Sequence, residues 1–119
     1  MLVVDDDSSL LTLLKHIVTA WGHDCLTAGS AAEARQVITD EGPEVMFLDV
    51  SMPDVDGVEF LRQIRAEHLE PPHVALLSAL PQEHLDELSR ELNVRYIRKP
   101  FSSSSLREEF QRLLGEPVV

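Results

Sequence analysis

Four places in the sequence carry side chains suited to shared chemistry: the acidic run Asp5-Asp6-Asp7, a carboxylate at Asp49, a hydroxyl at Ser78 and an ammonium at Lys99. Carboxylates brought within about 6 Å repel one another and raise one another's pKa, unless a divalent cation neutralises them. Oxygen-only ligands favour Mg2+, which keeps several waters and is usually held by one or two carboxylates plus a phosphate. A carboxylate nucleophile beside Mg2+, with an ammonium and a hydroxyl around it, is equipped to accept a phosphoryl group. Catalysis of that transfer is mostly positioning and charge neutralisation. Asp49 is central among these groups and is the expected nucleophile.

Such residues meet only if the chain delivers them to one edge of a sheet. Glu44-Val45-Met46-Phe47-Leu48 is an apolar run after one charge, the pattern of a strand covered on both faces, and it ends at Asp49. Pro53 fixes its own φ and Asp56-Gly57 favours a turn, so the strand stops close to Asp49 and exposes the carboxylate at its C-terminal end. Leu2-Val3-Val4 before Asp5, Cys25 to Ala28, His73 to Ser78, and Val94 to Arg98 before Lys99-Pro100 supply four more short strands.

Amphipathic helices are expected between them. The first is capped by Asp7, Ser8 or Ser9, carries Leu10, Leu14, Ile17, Val18 and Trp21, and ends at Gly22. Ser30 caps a second through Ala31, Ala34, Val37 and Ile38, stopped by Gly42-Pro43. A third follows Gly57 with Val58, Leu61 and Ile64, and Pro71-Pro72 ends it. Pro81 opens a fourth with Leu85, Leu88 and Leu92. Ser102 to Ser105 cap the last, through Leu106, Phe110, Leu113 and Leu114 to Gly115. Alternating strands and helices predict an α/β fold: a doubly wound, three-layer sandwich around a five-stranded parallel sheet in flavodoxin-like order 2-1-3-4-5. Ligands of such sheets bind at the C-terminal strand edge, where Asp5, Asp49, Ser78 and Lys99 would all lie.

Composition narrows the function classes. The 119 residues fit one domain able to bury roughly two-thirds of its unfolded surface. A hydrophobic fraction of 44% and a charged fraction of 26% suit a globular domain, and no apolar run approaches the ~20 residues of a membrane helix. The start, Met1-Leu2-Val3-Val4-Asp5, resembles neither a secretory signal nor a transit peptide, so the cytoplasm is expected. Cys25 stands alone and is expected to be a buried structural thiol. A net charge of −11 argues against direct nucleic-acid binding, which depends on basic groups displacing phosphate counterions. The five histidines show no metal-binding spacing and no triad partner.

Taken together, the motifs resemble the receiver domains of response regulators in two-component phosphorelays, over essentially the whole chain. Leu2-Val3-Val4-Asp5-Asp6 is similar to their acidic first-strand motif, and Phe47-Leu48-Asp49 with Met52-Pro53 and Asp56-Gly57 to their phosphoacceptor segment. Leu77-Ser78-Ala79 matches the hydroxyl position and Lys99-Pro100-Phe101 the lysine segment. The resemblance implies that Asp49 receives a phosphoryl group from a histidine of a partner kinase or histidine phosphotransfer protein. It implies that Asp6, Asp49 and the Ser51 backbone carbonyl ligate Mg2+, with Asp5 acting largely through water. Ser78 and Lys99 would bind the phosphoryl oxygens, and Tyr96 would be the aromatic switch coupled to Ser78.

Simpler roles compete for some of these residues. Asp5 and Asp6 could cap the first helix, Asp7 reads as a cap or surface charge, and Asp54 and Asp56 as turn or helix-start residues. Ser78 stands where threonine is frequent in the family, and the apolar Leu80, two residues on, cannot orient water toward an acyl phosphate. Arg95 and Arg98 on the fifth strand, with Glu87 and Glu91 on the fourth helix, suggest intersubunit ion pairs and a homodimer through the helix 4, strand 5 and helix 5 face. Two other functions are weighed. A phosphatase with an aspartyl nucleophile would want a second acid two residues after Asp49, where Ser51 stands; a pseudo-receiver that only binds partners need not keep Asp5, Asp6, Asp49, Ser78 and Lys99 together. An acceptor module rather than a turnover enzyme is the expectation. Only a short strand precedes Asp5, which predicts a short ladder or a chain beginning inside it. No effector domain follows residue 115, so a single-domain regulator or a piece of a longer protein is expected.

Overall fold

The computed structural model describes residues 1–52 and 55–115; the expectations for Pro53 and Asp54 lie outside the described residues. Five strands and five helices alternate: β1 (Leu2–Val4), α1 (Ser8–Ala20), β2 (Leu26–Ala28), α2 (Ala31–Glu41), β3 (Val45–Asp49), α3 (Gly57–Ala66), β4 (His73–Ser78), α4 (Gln82–Leu92), β5 (Arg95–Arg98) and α5 (Ser103–Leu114). The strands form one sheet in order β2-β1-β3-β4-β5 with every pairing parallel, the α/β flavodoxin-like topology predicted from the alternation. None of the described helices is long and apolar enough to cross a membrane.

Side-chain alternation along the strands divides the interior into two layers. Leu2, Val4, Met46, Leu48 and Leu76 face one side, where they pack with Ala34 and Ile38 of α2 and Phe60, Leu61 and Ile64 of α3. Val3, Val45, Phe47, Ala75 and Leu77 face the other, against Leu11, Leu14 and Val18 of α1 and Leu106 and Phe110 of α5. Both faces of β3 are thus covered, which is why its sequence is a continuous apolar run with no polar alternation. The buried stripe of α1 is centred on Leu11, Leu14 and Val18; Leu10, Ile17 and Trp21 of the predicted face lie at its half-buried margin.

Caps set the helix starts. Asp7 Oδ1 accepts from the Ser9 and Leu10 N–H groups at 3.0 and 3.2 Å, and Asp56 Oδ1 from the Glu59 N–H at 2.9 Å. Ser30 accepts from Glu33 N–H, and Ser102 and Ser105 cap α5 reciprocally, Ser105 taking the place usually filled by Glu. Two predicted boundaries shift by one residue: β2 begins at Leu26 and β5 at Arg95. The Val94 N–H donates to Ser89 O at 3.1 Å and so completes the end of α4 instead of joining the sheet. Cys25 is buried, as expected of a structural thiol, and burial raises its pKa. β1 is a three-residue strand paired on both sides, so the ladder before Asp5 is short.

Candidate functional site

Parallel register brings the strand ends to one edge. Val4 stands opposite Leu48, so Asp5 and Asp49 emerge side by side, and Asp49 itself stands opposite Leu77, the residue before Ser78. Ser78 stands opposite Arg98, and its carbonyl accepts from the Lys99 N–H at 2.7 Å, which places Lys99 beside the end of β4. The Lys99–Pro100 peptide bond is cis.

The three carboxylates of Asp5, Asp6 and Asp49 each bring an oxygen within 4.8 Å of the others. Their surroundings differ. Asp5 is 1% exposed, with Oδ1 accepting from the Asp7 N–H at 3.0 Å and Oδ2 from Lys99 Nζ at 2.5 Å. Asp49 is 4% exposed; its Oδ1 accepts from the Ser51 N–H at 3.2 Å and lies 3.6 Å from Lys99 Nζ. Asp6 is open to solvent. Lys99 therefore rests on Asp5 and reaches toward Asp49, both carboxylates lying within range of one ammonium.

Electrostatics follow from that geometry. Burial lifts the Asp49 pKa from 3.8 to about 6, with repulsion by Asp5 and Asp6 adding to it and Lys99 and the Ser51 N–H opposing it. For Lys99, burial works against the ammonium, but the Asp5 hydrogen bond and the attraction of Asp49 and Asp5 outweigh it and leave the pKa above its ordinary value. The cation stays charged, while Asp49, 3.6 Å from it, is more basic than an ordinary aspartate.

Ser78 is buried at the end of β4, where its Oγ accepts from the Leu80 N–H at 3.0 Å. Its proton is free of that bond and can be donated elsewhere. Ser51 is exposed beside Asp49, contributing its N–H to the Asp49 carboxylate. Tyr96 stands on β5 opposite Leu76, half-buried, and its hydroxyl donates to Asp86 of α4 at 2.5 Å. Of the simpler alternatives, the cap role holds for Asp7 and Asp56, and α1 is not capped by Asp5 or Asp6.

Two features escaped the motif argument. Gly57, expected only as a turn residue, opens α3 against the backbone of Asp49: its N–H donates to Val50 O at 2.8 Å, and a Cβ there would stand 2.1 Å from the Asp49 carbonyl oxygen. The requirement is steric, a helix start pressed on the strand that carries the reactive carboxylate, and the signal is a glycine at the first position of a helix. The second is Glu109, a buried acid on α5 that pairs with Arg95. With Glu91 held by Arg62 at 2.5 Å, two of the four charges expected to meet a second copy are paired within the chain, leaving Arg98 and Glu87 for that role. The expected dimer pairing overlooked these partners because both lie far off in sequence.

Comparison with known proteins places this arrangement. The chain is 35% identical over 120 residues to the alkaline phosphatase synthesis transcriptional regulatory protein PhoP of Bacillus subtilis, a match covering 100% of the chain but 50% of that protein. It is 32% identical to a chemotaxis protein CheY homologue of Campylobacter jejuni, covering 97% of the chain and 92% of the relative. Among solved structures, the Francisella response regulator 1452 receiver domain superposes with a TM-score of 0.86 at 30% identity, covering 96% of this chain and 94% of the other. The profile of the response regulator receiver domain matches residues 1–111, and the chain belongs to that family.

Proposed function

We propose that the chain is a phosphoacceptor signalling domain, taking a phosphoryl group onto Asp49 from a phosphohistidine of a histidine kinase or phosphotransfer protein. The observation that carries the proposal is the convergence of Asp5, Asp6 and Asp49 within 4.8 Å, with Lys99 Nζ 3.6 Å from Asp49. An Asp49 carboxylate oxygen attacks phosphorus as the P–N bond breaks, and the electron pair leaves with the imidazole nitrogen. Attack needs the ionised carboxylate, and a pKa of about 6 keeps Asp49 mostly ionised at neutral pH while making it more basic. Lys99 swings from Asp5 to the phosphoryl oxygens, and the Ser78 hydroxyl donates to another of them while still accepting from Leu80. The acyl phosphate carries roughly 1.5 to 2 negative charges, and that charge is the message.

The donor set fits Mg2+. It is oxygen-only, and the repulsion of Asp5 and Asp6 that helps raise the Asp49 pKa is what a divalent cation would remove. Asp6, Asp49 and the Ser51 backbone carbonyl would hold the ion, with Asp5 acting through water. When bound, it supplies neutralisation of the clustered carboxylates and of phosphoryl oxygen charge.

A partner carrying phosphohistidine would approach from the side of Lys99, where a cavity of about 420 Å3 lies between Leu10, Leu13 and Ile17 of α1 and Pro100-Phe101. Leu13 is 55% exposed there. The chain works as an acceptor, not a turnover enzyme, in the cytoplasm, and its net charge of −11 argues against gripping nucleic acid itself. A homodimer through α4, β5 and α5 would rest on Arg98 and Glu87, and a phosphorylated chain sedimenting as a monomer at high concentration rules it out.

The test is incubation with a small phosphodonor and Mg2+, followed by intact mass of wild type and Asp49→Asn. A stable adduct absent from the variant supports the acceptor. Rapid donor turnover would indicate an aspartyl phosphatase, and no reaction a pseudo-receiver.

A further inference from the structure

The two outer strands of the sheet are finished differently. The free edge of β5 carries Arg95 and Arg98, both exposed, and charge of that kind deters a further strand from pairing. β2, at the opposite edge, has no charged residue from Cys25 to Gly29. The Leu26 N–H donates to Met1 O at 2.8 Å and Ala28 O accepts from the Asp5 N–H at 3.0 Å, so both residues turn their backbone groups inward to β1. Alternation along the strand then turns the N–H and C=O of Thr27 outward. The Gly29 N–H, next on that side, is taken by Glu33 Oε2 at 2.9 Å, whereas no hydrogen bond among the described residues engages the outward groups of Thr27.

Beside this edge a groove of about 780 Å3 follows α1 from Ser8 to Ala20 and takes in Thr27, which stands level with Val3 and turns its side chain to the α1 side of the sheet. The 13 residues of α1 are about 20 Å long, the span of about six residues of extended chain. The polar side chains of the wall are hydroxyls and basic groups: Thr12, Lys15, His16 and Thr19 of α1, with Thr27. α1 contains no carboxylate, although the chain has 21 acidic residues and each of the other four helices carries at least one. Even its first turn lacks one, where the helix dipole favours it. No carboxylate among the described residues lies within ion-pair range of Lys15. Its ammonium stands near the start of β2: burial raises the Cys25 pKa, and the charges of the amino terminus and Lys15 oppose the rise. The groove therefore joins a strand edge open to pairing with a wall of unanswered positive charge.

We propose that this groove receives an extended, acidic segment of a partner protein. The segment pairs its backbone with Thr27 at the free edge of β2 and turns alternate carboxylates toward Lys15 and His16 of α1. Main-chain pairing selects an extended chain over a helix, and the side chains of α1 select an acidic one. A second copy of this chain lacks that complementarity. Pairing β2 with β2 about a twofold axis would bring both α1 helices to one face and set Lys15 and His16 against their own counterparts. The groove is also separate from the cavity beside Lys99. That cavity uses Leu10, Leu13, Leu14 and Ile17, the opposite side of α1, so a phosphoryl donor and this partner can be held together. Binding here does not depend on the chemistry of Asp49.

The test uses the 15N-labelled chain without phosphodonor. The probe is a capped peptide that alternates glutamate with valine and threonine over the length of the groove, and its control has lysine for glutamate. The glutamate peptide should shift the amide signals of α1 and β2 and slow hydrogen exchange of the Thr27 N–H by about tenfold, and the lysine peptide should do neither. Lys15→Ala should weaken binding about two- to fivefold. Thr27→Pro removes an N–H that faces away from β1, which spares the ladder, and should weaken binding about tenfold. Thr27→Val loses the hydroxyl alone and should bind as wild type does. If Thr27→Pro does not fold, Thr27 exchange in wild type and the affinity of Lys15→Ala decide the matter. Equal binding of the two peptides, binding that leaves Thr27 exchange unchanged, or no binding at about 1 mM glutamate peptide overturns the inference. So does Lys15→Ala binding as tightly as wild type. Thr27 protection that grows with the concentration of the chain alone places a second copy on the edge and overturns it too.

Discussion

The Asp49→Asn substitution is expected to stabilise the metal-free protein at neutral pH, because the wild-type carboxylate is held ionised in a buried, negatively charged corner. The folded pKa is raised from 3.8 to about 6, so the native state binds a proton more tightly than the unfolded chain does. For a carboxylate shifted in this direction, folding is favoured at low pH and loses ground as pH rises from the unfolded pKa through the folded one. At 1.36 kcal/mol per pH unit the full penalty at pH 7 is about 3 kcal/mol. Solvent reaching the strand edge beside the exposed Asp6 screens part of it, leaving about 2 kcal/mol. Asparagine is neutral throughout and keeps an oxygen for the Ser51 N–H. Urea unfolding in the presence of a chelator should place the variant's midpoint about 1 M above wild type at pH 7. The gap should close as the pH falls toward about 4, where Asp49 is protonated in the folded state and increasingly so in the unfolded chain. A variant no more stable than wild type at pH 7, or a gap unchanged by acidification, refutes the electrostatic account of the site.

Mg2+ should raise the thermal midpoint of wild type, and do so much less for Asp49→Asn, as followed by differential scanning calorimetry at neutral pH; equal shifts would separate the ion from Asp49. Gly57→Ala forces a Cβ to within 2.1 Å of the Asp49 carbonyl oxygen and should cost about 1 to 3 kcal/mol, read from urea midpoints, together with slower phosphoryl acceptance. Leu80→Glu introduces a group able to orient water at the acyl phosphate and should speed its hydrolysis, measured as decay of the adduct mass; equal or slower decay contradicts the role given to Leu80. Arg65→Ala, which frees the Leu92 carbonyl at the end of α4, should lower stability by about 1 to 3 kcal/mol in urea unfolding.

What the sequence made legible here was periodicity, punctuation and order. The uninterrupted apolar run into Asp49 identified a strand buried on both faces, and Asp7, Ser30, Asp56 and Ser102 marked helix starts through short-range bonds that span two or three residues. Because parallel strands share one edge, chain order alone was enough to gather Asp5, Asp49, Ser78 and Lys99. Partners separated by long stretches of chain were not legible. Arg95 is answered by Glu109, Glu91 by Arg62 and Tyr96 by Asp86, and periodicity says which face a residue occupies, not which side chain waits across from it. Nor does a glycine announce whether it serves a turn or a close contact; at Gly57 the strand backbone lies where a side chain would be. The preference of Lys99 for Asp5 over Asp49 is likewise a matter of distance, 2.5 against 3.6 Å, that spacing in sequence does not encode.

The central claim is that one carboxylate, Asp49, carries the phosphoryl group. Its most direct test is to load the chain from a small phosphodonor with Mg2+, reduce the acyl phosphate with borohydride, and locate the resulting homoserine by peptide mapping. The account predicts homoserine at position 49 and nowhere else. Reduction at Asp5, Asp6 or Asp56, or a phosphoryl group recovered on a serine or histidine, would contradict it.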